Sequence, residues 1–129
     1  MRLLVDAHTL LWWLDEDKRL SDNARTAVEE ADHPLVGAGV LVEIAVKRSL
    51  GKLDIDDDWP QQAQADGFGL LAIGWTHAAR LQGLPFPRVA GKLHRDPFDR
   101  LLAAQALDER MPIVTRDPAF AAYGVATIW

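Results

Sequence analysis

Short apolar runs alternate with helical segments along the chain, and this alternation predicts the order of strands and helices. Each run predicted as a strand is brief, apolar and bounded by polar or turn residues. Strands are therefore predicted at residues 2–5, 34–36, 68–73, 112–114 and 125–129. Apolar spacing and helix-start residues predict helices at residues 10–14, 22–31, 40–50, 59–66, 76–81 and 97–110. Strands that alternate with helices are typical of an α/β fold with a central parallel sheet, covered on both faces in three layers.

Residues at the ends of several helices support these boundaries. Ser21 is a good N-cap for the helix that follows it, and Gly51 is a good C-terminal cap for the helix before it. Asp96 and Pro97 form a strong helix start, with Asp as the N-cap and Pro in the first helical position. The segment at 83–95 is rich in Gly and Pro, so it is predicted as the longest loop.

The chain has 129 residues, a length that suits one domain burying roughly two-thirds of its unfolded surface. It contains no cysteine, which excludes disulfides and thiolate metal sites, so a metal would need oxygen or imidazole ligands. Asp6 comes too early for a signal peptide, and the apolar run Leu10–Leu14 is too short for a membrane span. We therefore expect a cytoplasmic protein without a membrane segment.

The net charge of −5 argues mildly against nucleic-acid binding, because neutralisation of phosphates normally drives that affinity. The charge is uneven, however, with acidic clusters at 15–17 and 54–58. Basic residues gather around the candidate site described next: Lys47, Arg48, Lys52, Arg88, Lys92, Arg95 and Arg100. A local basic rim is compatible with an acidic protein, so the bulk charge does not decide the substrate.

Four acidic residues, far apart in the sequence, are the candidate functional residues. Asp6 follows the first strand, and Glu43 is the lone acid of an apolar helical segment. Asp99 lies in the first turn of a helix, and Asp117 follows the strand before it. Because the carboxyl ends of parallel strands face a common crevice, these side chains can converge there. Converging carboxylates repel one another unless a cation lies between them, so the pattern predicts a divalent metal site that favours Mg²⁺ or Mn²⁺.

Each of these acids also has a purely structural alternative. Asp6 and Asp117 can serve as helix N-caps, and Asp96 fits the cap role of its own helix. Glu43 can pair with Lys47 one turn later, which stabilises a helix by about 0.2–0.5 kcal/mol. The apolar neighbours of Glu43 nevertheless predict a helix with little solvent exposure, where an unpaired carboxylate is costly. Each signal is weak alone, and the prediction depends on their joint placement.

The histidines and arginines have less specific assignments. The four histidines lack the spacing of a zinc site. His33 and His77 are expected on the surface, whereas His8 and His94 lie near the predicted cleft, where they can contact substrate. Three arginines could bind flanking phosphates, but solvated surface positions are favoured for all of them: Arg95, Arg100 and Arg116.

Four motifs, in this order along the chain, together resemble the PIN domain. They are LLVDAHTLLWWL at 3–14, VEIAVKRSLGKL at 42–53, HRDPFDRLLAAQAL at 94–107 and PIVTRD at 112–117. The likeness is greatest to the VapC-type toxins of bacterial toxin–antitoxin pairs, and it covers essentially the whole chain. Four acids form the active site in that family, and the matching positions here are Asp6, Glu43, Asp99 and Asp117. Asp96 belongs to the HRDPFDR signature and is expected to support the site from its edge.

The resemblance implies a PIN-like fold and a Mg²⁺-dependent, or Mn²⁺-dependent, endoribonuclease that inhibits growth by cleaving RNA. It also implies a homodimer and neutralisation by a cognate VapB-type antitoxin. Asp6, Asp99 and Asp117 are then expected as metal ligands, with Glu43 as a further ligand or as the base that orients water.

One segment departs from the family pattern. Gly37, Val40 and Val42 stand before Glu43, where the family usually has small hydroxyl residues and a Trp. Missing hydroxyls would remove hydrogen bonds that orient the carboxylates. The departure therefore affects the expected level of activity more than its type.

Three other hypotheses remain open from the sequence. The DAHTL run at 6–10 is similar to the start of haloacid dehalogenase-type phosphatases, with Asp6 as the nucleophile, although His8 replaces their second acid. A non-catalytic receiver domain has a similar length, but the expected phosphoacceptor Asp after a middle strand and a late Lys are missing. A degenerate PIN fold that only binds a partner is the third, and the presence of all four acids argues against it.

Overall fold

The computed structural model describes all 129 residues and contains seven strands and seven helices. The strands are β1 (Arg2–Val5), β2 (His33–Gly37), β3 (Gly69–Leu71), β4 (Arg88–Val89), β5 (Lys92–Leu93), β6 (Ile113–Val114) and β7 (Thr127–Ile128). The helices are α1 (Ala7–Leu14), α2 (Asp22–Glu30), α3 (Ala38–Ser49), α4 (Trp59–Ala65), α5 (Trp75–Gly83), α6 (Pro97–Glu109) and α7 (Ala119–Ala122). No helix is long and apolar enough to cross a membrane.

Five parallel strands form the central sheet in the order β3–β2–β1–β6–β7. The middle strand, β1, pairs with β2 on one side and with β6 on the other, so that Leu4 lies opposite both Leu35 and Ile113. Its residues Leu3, Leu4 and Val5 are completely buried, as expected for a strand covered by helices on both faces. The predicted three-layer α/β/α fold is therefore confirmed.

Two small elements were missing from the sequence prediction. The segment at 83–95, predicted as a loop, contains an antiparallel hairpin of β4 and β5. Its two-residue turn has positive φ at both Ala90 and Gly91, the conformation that matches the twist of a hairpin. The short helix α7 follows the Asp117–Pro118 step.

The prediction that α3 has little solvent exposure is wrong. Ile44 and Val40 pack in the core, but Val42, Val46 and Leu50 are 51%, 44% and 63% exposed. These three residues are spaced four apart, so they form one apolar stripe along the outer face of the helix. Apolar residues all round a helix predict burial only when another element covers each face.

Close packing explains the Gly at position 37. A Cβ atom there would lie 2.7 Å from Oε1 of Gln105, which is completely buried in α6. A contact under 3 Å between these atoms is not tolerated without movement of α6 or of the amide. A side chain at position 37 would therefore require the flexible amide end of Gln105 to shift.

Candidate active site

Asp6 lies at the carboxyl end of β1, the most deeply buried strand. Its Oδ1 accepts a hydrogen bond from the Thr9 backbone N–H at 2.9 Å, which makes it the N-cap of α1. Its Oδ2 accepts a bond from the Thr115 hydroxyl at 2.5 Å. Only 7% of Asp6 is exposed, so the carboxylate is held rigidly from both sides. The cap alternative and the placement at a strand end are thus both correct.

Thr115 connects two of the candidate acids. It follows β6, and its buried hydroxyl donates to Asp6 while accepting a bond from the Asp117 backbone N–H at 3.0 Å. Asp117 in turn accepts a bond from the Ala119 N–H at 2.9 Å, before α7. One hydroxyl therefore fixes the spacing between Asp6 and Asp117. The sequence reasoning did not single out Thr115, although a hydroxyl residue directly after a buried strand is a usable signal.

Asp99 is a candidate acid whose pKa is shifted by the charges of neighbouring acids. Asp96 caps α6 by accepting the Asp99 backbone N–H at 2.9 Å, as predicted for the Asp–Pro start. Burial, followed by the negative charges of Asp96, Asp117 and Glu43, raises the pKa of Asp99 from 3.8 to about 6, whereas His94 opposes the rise. The charges of these three acids act on Asp99, so the acids lie around it, although no three of the four candidate acids have ligand atoms that all lie within 4.8 Å of one another. Their assignment as one metal site therefore stays a prediction.

Glu43 projects from α3 towards the same group and is only 13% exposed at its side chain. It accepts a hydrogen bond from Nζ of Lys47 at 2.8 Å. That bond raises the pKa of Lys47, and the charges of Glu43, Asp96 and Asp99 add to the rise. Lys47 therefore neutralises part of the acidic charge in the site, in addition to forming the predicted pair within the helix.

His94 contacts the site directly, in agreement with its predicted position near the cleft. Its Nε2 lies 3.2 Å from Oδ2 of Asp99, and its Nδ1 lies 2.7 Å from the Tyr123 hydroxyl. Tyr123, in the turn after α7, was not recognised from the sequence. His8 is exposed and stacks on Trp12, with ring centroids 5.5 Å apart, so it lines the adjacent groove rather than the acidic cluster.

Two predicted surface residues are buried instead. Arg100 is 6% exposed, and its guanidinium donates to the backbone oxygens of Leu84 and Pro85. His77 is 4% exposed and accepts a hydrogen bond from the Gly74 N–H at Nδ1, at the start of α5. Both side chains satisfy backbone groups in the interior, which makes burial of a polar ring or cation tolerable. The arginines at 95 and 116 are exposed, as predicted.

His77, Asp108 and Glu109 form a second cluster of potential metal ligands, outside the main site. The Nδ1 atom of His77 is already an acceptor, so the proton of the neutral ring is on Nε2, which lies 3.2 Å from Glu109. A protonated nitrogen cannot ligate a metal. The arrangement is therefore a hydrogen-bonded cap between α5 and α6.

The donor atoms at the main site suit a hard divalent cation. Carboxylate oxygens come from four separate elements, and no thiolate or free imidazole nitrogen is directed at them. Burial and the charges of Asp96, Asp117 and Glu43 raise the pKa of Asp99, so negative charge is concentrated around this carboxylate. Mg²⁺ and Mn²⁺ prefer this donor set.

The family model for the PIN domain matches residues 3–126. The chain therefore belongs to the PIN-domain family. The chain is also similar to Ribonuclease VapC22 of Mycobacterium tuberculosis (strain ATCC 25618 / H37Rv), with 32% identity over 120 residues, which cover 89% of this chain and 86% of that protein. The resemblance predicted from the four motifs is confirmed.

Three solved structures have a similar fold. VapBC2 from Rickettsia felis, bound to a DNA fragment of the promoter, superposes with a TM-score of 0.72 at 12% identity and covers 98% of this chain and 97% of that chain. FitAcB from Neisseria gonorrhoeae gives 0.63 at 19% identity, with 98% and 96% covered. A toxin–antitoxin complex from Klebsiella pneumoniae gives 0.61 at 17% identity, with 93% and 90% covered.

The topology and the comparisons argue against two of the three other hypotheses left by the sequence. Receiver domains have the strand order 2-1-3-4-5, whereas here β2 lies between β1 and β3, which excludes that topology. Membership of the PIN-domain family, together with a curated ribonuclease relative, favours the nuclease over the phosphatase.

Proposed function

We propose that the protein is a metal-dependent endoribonuclease that acts as the toxin of a toxin–antitoxin pair. The observation that supports this most directly is the group of carboxylates around Asp99, whose pKa is raised to about 6 by burial and by three neighbouring acids. An acidic pocket of this kind is unfavourable without a cation. RNA is the proposed substrate because the curated relative is a ribonuclease.

The proposed reaction is hydrolysis of an RNA phosphodiester by water in an in-line displacement. Asp6, Asp99 and Asp117 would hold Mg²⁺ or Mn²⁺ through their oxygens, and Glu43 would orient the attacking water and accept its proton. When bound, the cation would make a coordinated water more acidic and would stabilise negative charge on the phosphate. The Thr115 hydroxyl bonds both Asp6 and the Asp117 backbone, so it holds these two proposed ligands in a fixed position relative to each other.

Removal of the metal tests this chemistry. Purified protein, treated with a chelator and dialysed, is expected to lose cleavage of a mixed single-stranded RNA, and addition of Mg²⁺ or Mn²⁺ should restore it. Ca²⁺ serves as the control cation, because its larger and more flexible coordination does not reproduce the geometry of Mg²⁺. Cleavage that persists unchanged in chelator would contradict a metal-dependent mechanism.

A groove beside the active site is the proposed docking site of the antitoxin. Its volume is about 680 Å³, and it runs between α1, α3 and the segment before α4, with Glu43 at one end. Seven of its lining residues are hydrophobic. The charged residues of the lining are mostly acidic: Asp15, Asp17, Glu43, Asp54 and Asp56, against Arg19, Lys47 and Lys52.

The charge of this groove favours a peptide over RNA. Arg19 is paired with Asp17 at 2.7 Å and Lys47 with Glu43 at 2.8 Å, so the remaining acids outnumber the single free Lys52. An acidic, partly apolar groove repels phosphates and attracts a segment with apolar and basic side chains. A VapB-type antitoxin that binds there would also cover Glu43.

Reversing charge in the groove should separate toxin activity from neutralisation. We expect Asp54→Lys combined with Asp56→Lys to weaken binding of the cognate antitoxin about tenfold or more, because two attractive charges become repulsive. RNA cleavage by the free toxin should be retained, since neither residue belongs to the acidic cluster. Asp57→Lys is the matched control, because Asp57 lies outside the groove lining. Calorimetric titration measures the affinities, and equal affinity for both variants would argue against this groove.

The homodimer implied by the family resemblance is also a proposal. The exposed stripe of Val42, Val46 and Leu50 on α3 supports it, since exposed apolar stripes favour contact with a second copy. The mass of the particle in solution, measured by light scattering, tests this directly.

A further inference from the structure

A chain of hydrogen bonds extends from a buried arginine to the candidate ligand Asp99. Nη1 of Arg100 lies 3.3 Å from the Tyr123 hydroxyl oxygen, which lies 2.7 Å from Nδ1 of His94. Nε2 of His94 then lies 3.2 Å from Oδ2 of Asp99. Arg100, Tyr123 and the His94 ring are all largely shielded from water, so their polar atoms depend on one another.

With a neutral His94 ring and an ionised Asp99, one arrangement of protons gives every contact in this chain both a donor and an acceptor. Arg100 has no acceptor atom, so the Tyr123 oxygen accepts from it and its own proton is free to bond elsewhere. Nδ1 of His94, at 2.7 Å, is the nearer acceptor, since the backbone oxygen of His94 is 3.4 Å away. The ring proton is then on Nε2, and it donates to the Asp99 carboxylate.

The hydrogen bond from His94 determines which oxygen of Asp99 remains available to a cation. Oδ2 is occupied by His94, and Oδ1 accepts no hydrogen bond from the protein, so one oxygen remains available. The Asp99 backbone is fixed at the same time by the N-cap bond from Asp96. Rotation of the carboxylate away from this orientation would break the bond to His94.

We infer that Tyr123 and His94 are positioning residues of the active site: the Tyr123 hydroxyl, itself oriented by Arg100, selects the Nε2–H tautomer of His94, which holds Asp99 with one oxygen free for the metal. This inference rests on the proposed function, because it takes Asp99 as a metal ligand. Partners that orient ligating carboxylates typically change metal affinity or activity by about 10- to 100-fold.

The Tyr123 hydroxyl is not needed to attach the loop after α5 to the rest of the protein. Arg100 already holds that loop through the backbone oxygens of Leu84 and Pro85, and its guanidinium stacks on Phe86 at 3.8 Å. The His94 ring also packs edge-on against Tyr123, with centroids 5.5 Å apart. These contacts would survive removal of the Tyr123 hydroxyl, so Tyr123→Phe isolates the hydrogen bond.

Two measurements on Tyr123→Phe test the inference, and neither of them depends on catalysis. Nitrogen-15 NMR of the histidine rings should show the Nε2–H tautomer of His94 in the native protein and a mixture of tautomers in the variant. Calorimetric titration with Mn²⁺ alone, at a temperature where every variant is folded, should show about tenfold weaker binding in the variant.

Variants at position 94 separate positioning from packing. The amide nitrogen of glutamine can replace Nε2 as a donor, so His94→Gln should bind Mn²⁺ more tightly than His94→Phe, which keeps only the ring. His77→Gln is the control for loss of a buried histidine outside the site and should bind like the native protein. Native affinity in both Tyr123→Phe and His94→Phe, or an unchanged tautomer, would overturn the inference. If Asp99→Asn binds Mn²⁺ with native affinity, Asp99 is not a metal ligand. The proposed function is then contradicted, whichever tautomer His94 has.

Discussion

Asp99→Asn is expected to abolish RNA cleavage and, at the same time, to stabilise the protein in the absence of divalent cations. The amide removes a metal ligand, and it also removes a charge that burial and three acids disfavour. A rise in pKa from 3.8 to about 6 corresponds to roughly 3 kcal/mol. Because the Asp99 side chain is 27% exposed, solvent screening reduces the expected gain in the free energy of unfolding at pH 7 to about 1–2 kcal/mol.

The gain in stability from Asp99→Asn should depend on pH, and the sign of this dependence follows from the raised pKa of Asp99. Between pH 4 and about 6 the folded protein binds more protons at Asp99 than the unfolded chain, so the stability contributed by this group falls as the pH rises. The contribution is complete below the unfolded pKa of 3.8 and is lost above about 6. Asp99→Asn should therefore exceed the native protein in stability at neutral pH, and the difference should vanish near pH 4.

Urea unfolding at several pH values, without and with Mg²⁺, checks this prediction. Mg²⁺ should stabilise the native protein but not Asp99→Asn. Asp108→Asn, on the same helix, is the control of opposite sign, because hydrogen bonds from Thr76 and Arg80 hold the pKa of Asp108 below its usual value. A destabilised Asp99→Asn at neutral pH would show that Asp99 is a structural acid rather than a ligand.

Asp6→Asn should lower RNA cleavage by more than about 100-fold while the protein still folds. Loss of a ligand exceeds the effect of losing a residue that only orients one. Oδ1 of the amide still accepts the Thr9 N–H, and asparagine caps a helix about as well as aspartate. The new NH₂ group, however, faces the Thr115 hydroxyl, whose proton loses its acceptor, so we expect a cost of about 1–3 kcal/mol.

Growth arrest on expression and cleavage of RNA in vitro measure this effect. Circular dichroism verifies that the variant is folded. Asp66→Asn is the control, since Asp66 is remote from the acidic cluster and bonds the Trp13 indole. A folded Asp6→Asn variant that still arrests growth would eliminate the proposed site.

The main architecture was predictable, and the four candidate acids could be singled out, because both leave strong local patterns in the sequence. Buried parallel strands appear as continuous apolar runs such as the one before Asp6. A carboxylate directly after such a run is conspicuous, and so is an Asp–Pro helix start before Asp99. These features depend on neighbours in the sequence, so a single sequence reveals them.

The features that were missed depend on partners distant in the sequence. Arg100 and His77 are charged or polar types that are usually exposed, and their burial is acceptable only because backbone groups of other segments satisfy them. Tyr123 was not recognised because nothing near it in sequence indicates a contact with His94, 29 residues away. The exposed stripe on α3 looked like core because an apolar pattern does not state which faces are covered.

The bond between Thr115 and Asp6 has a consequence for synthesis of the protein. These residues are 109 positions apart, and β1 gains its second neighbour only when β6 is available. A chain still emerging from the ribosome therefore has an incomplete central sheet and no assembled carboxylate cluster. The proposed active site can assemble only when translation has passed Asp117, so an incomplete chain is not expected to cleave RNA.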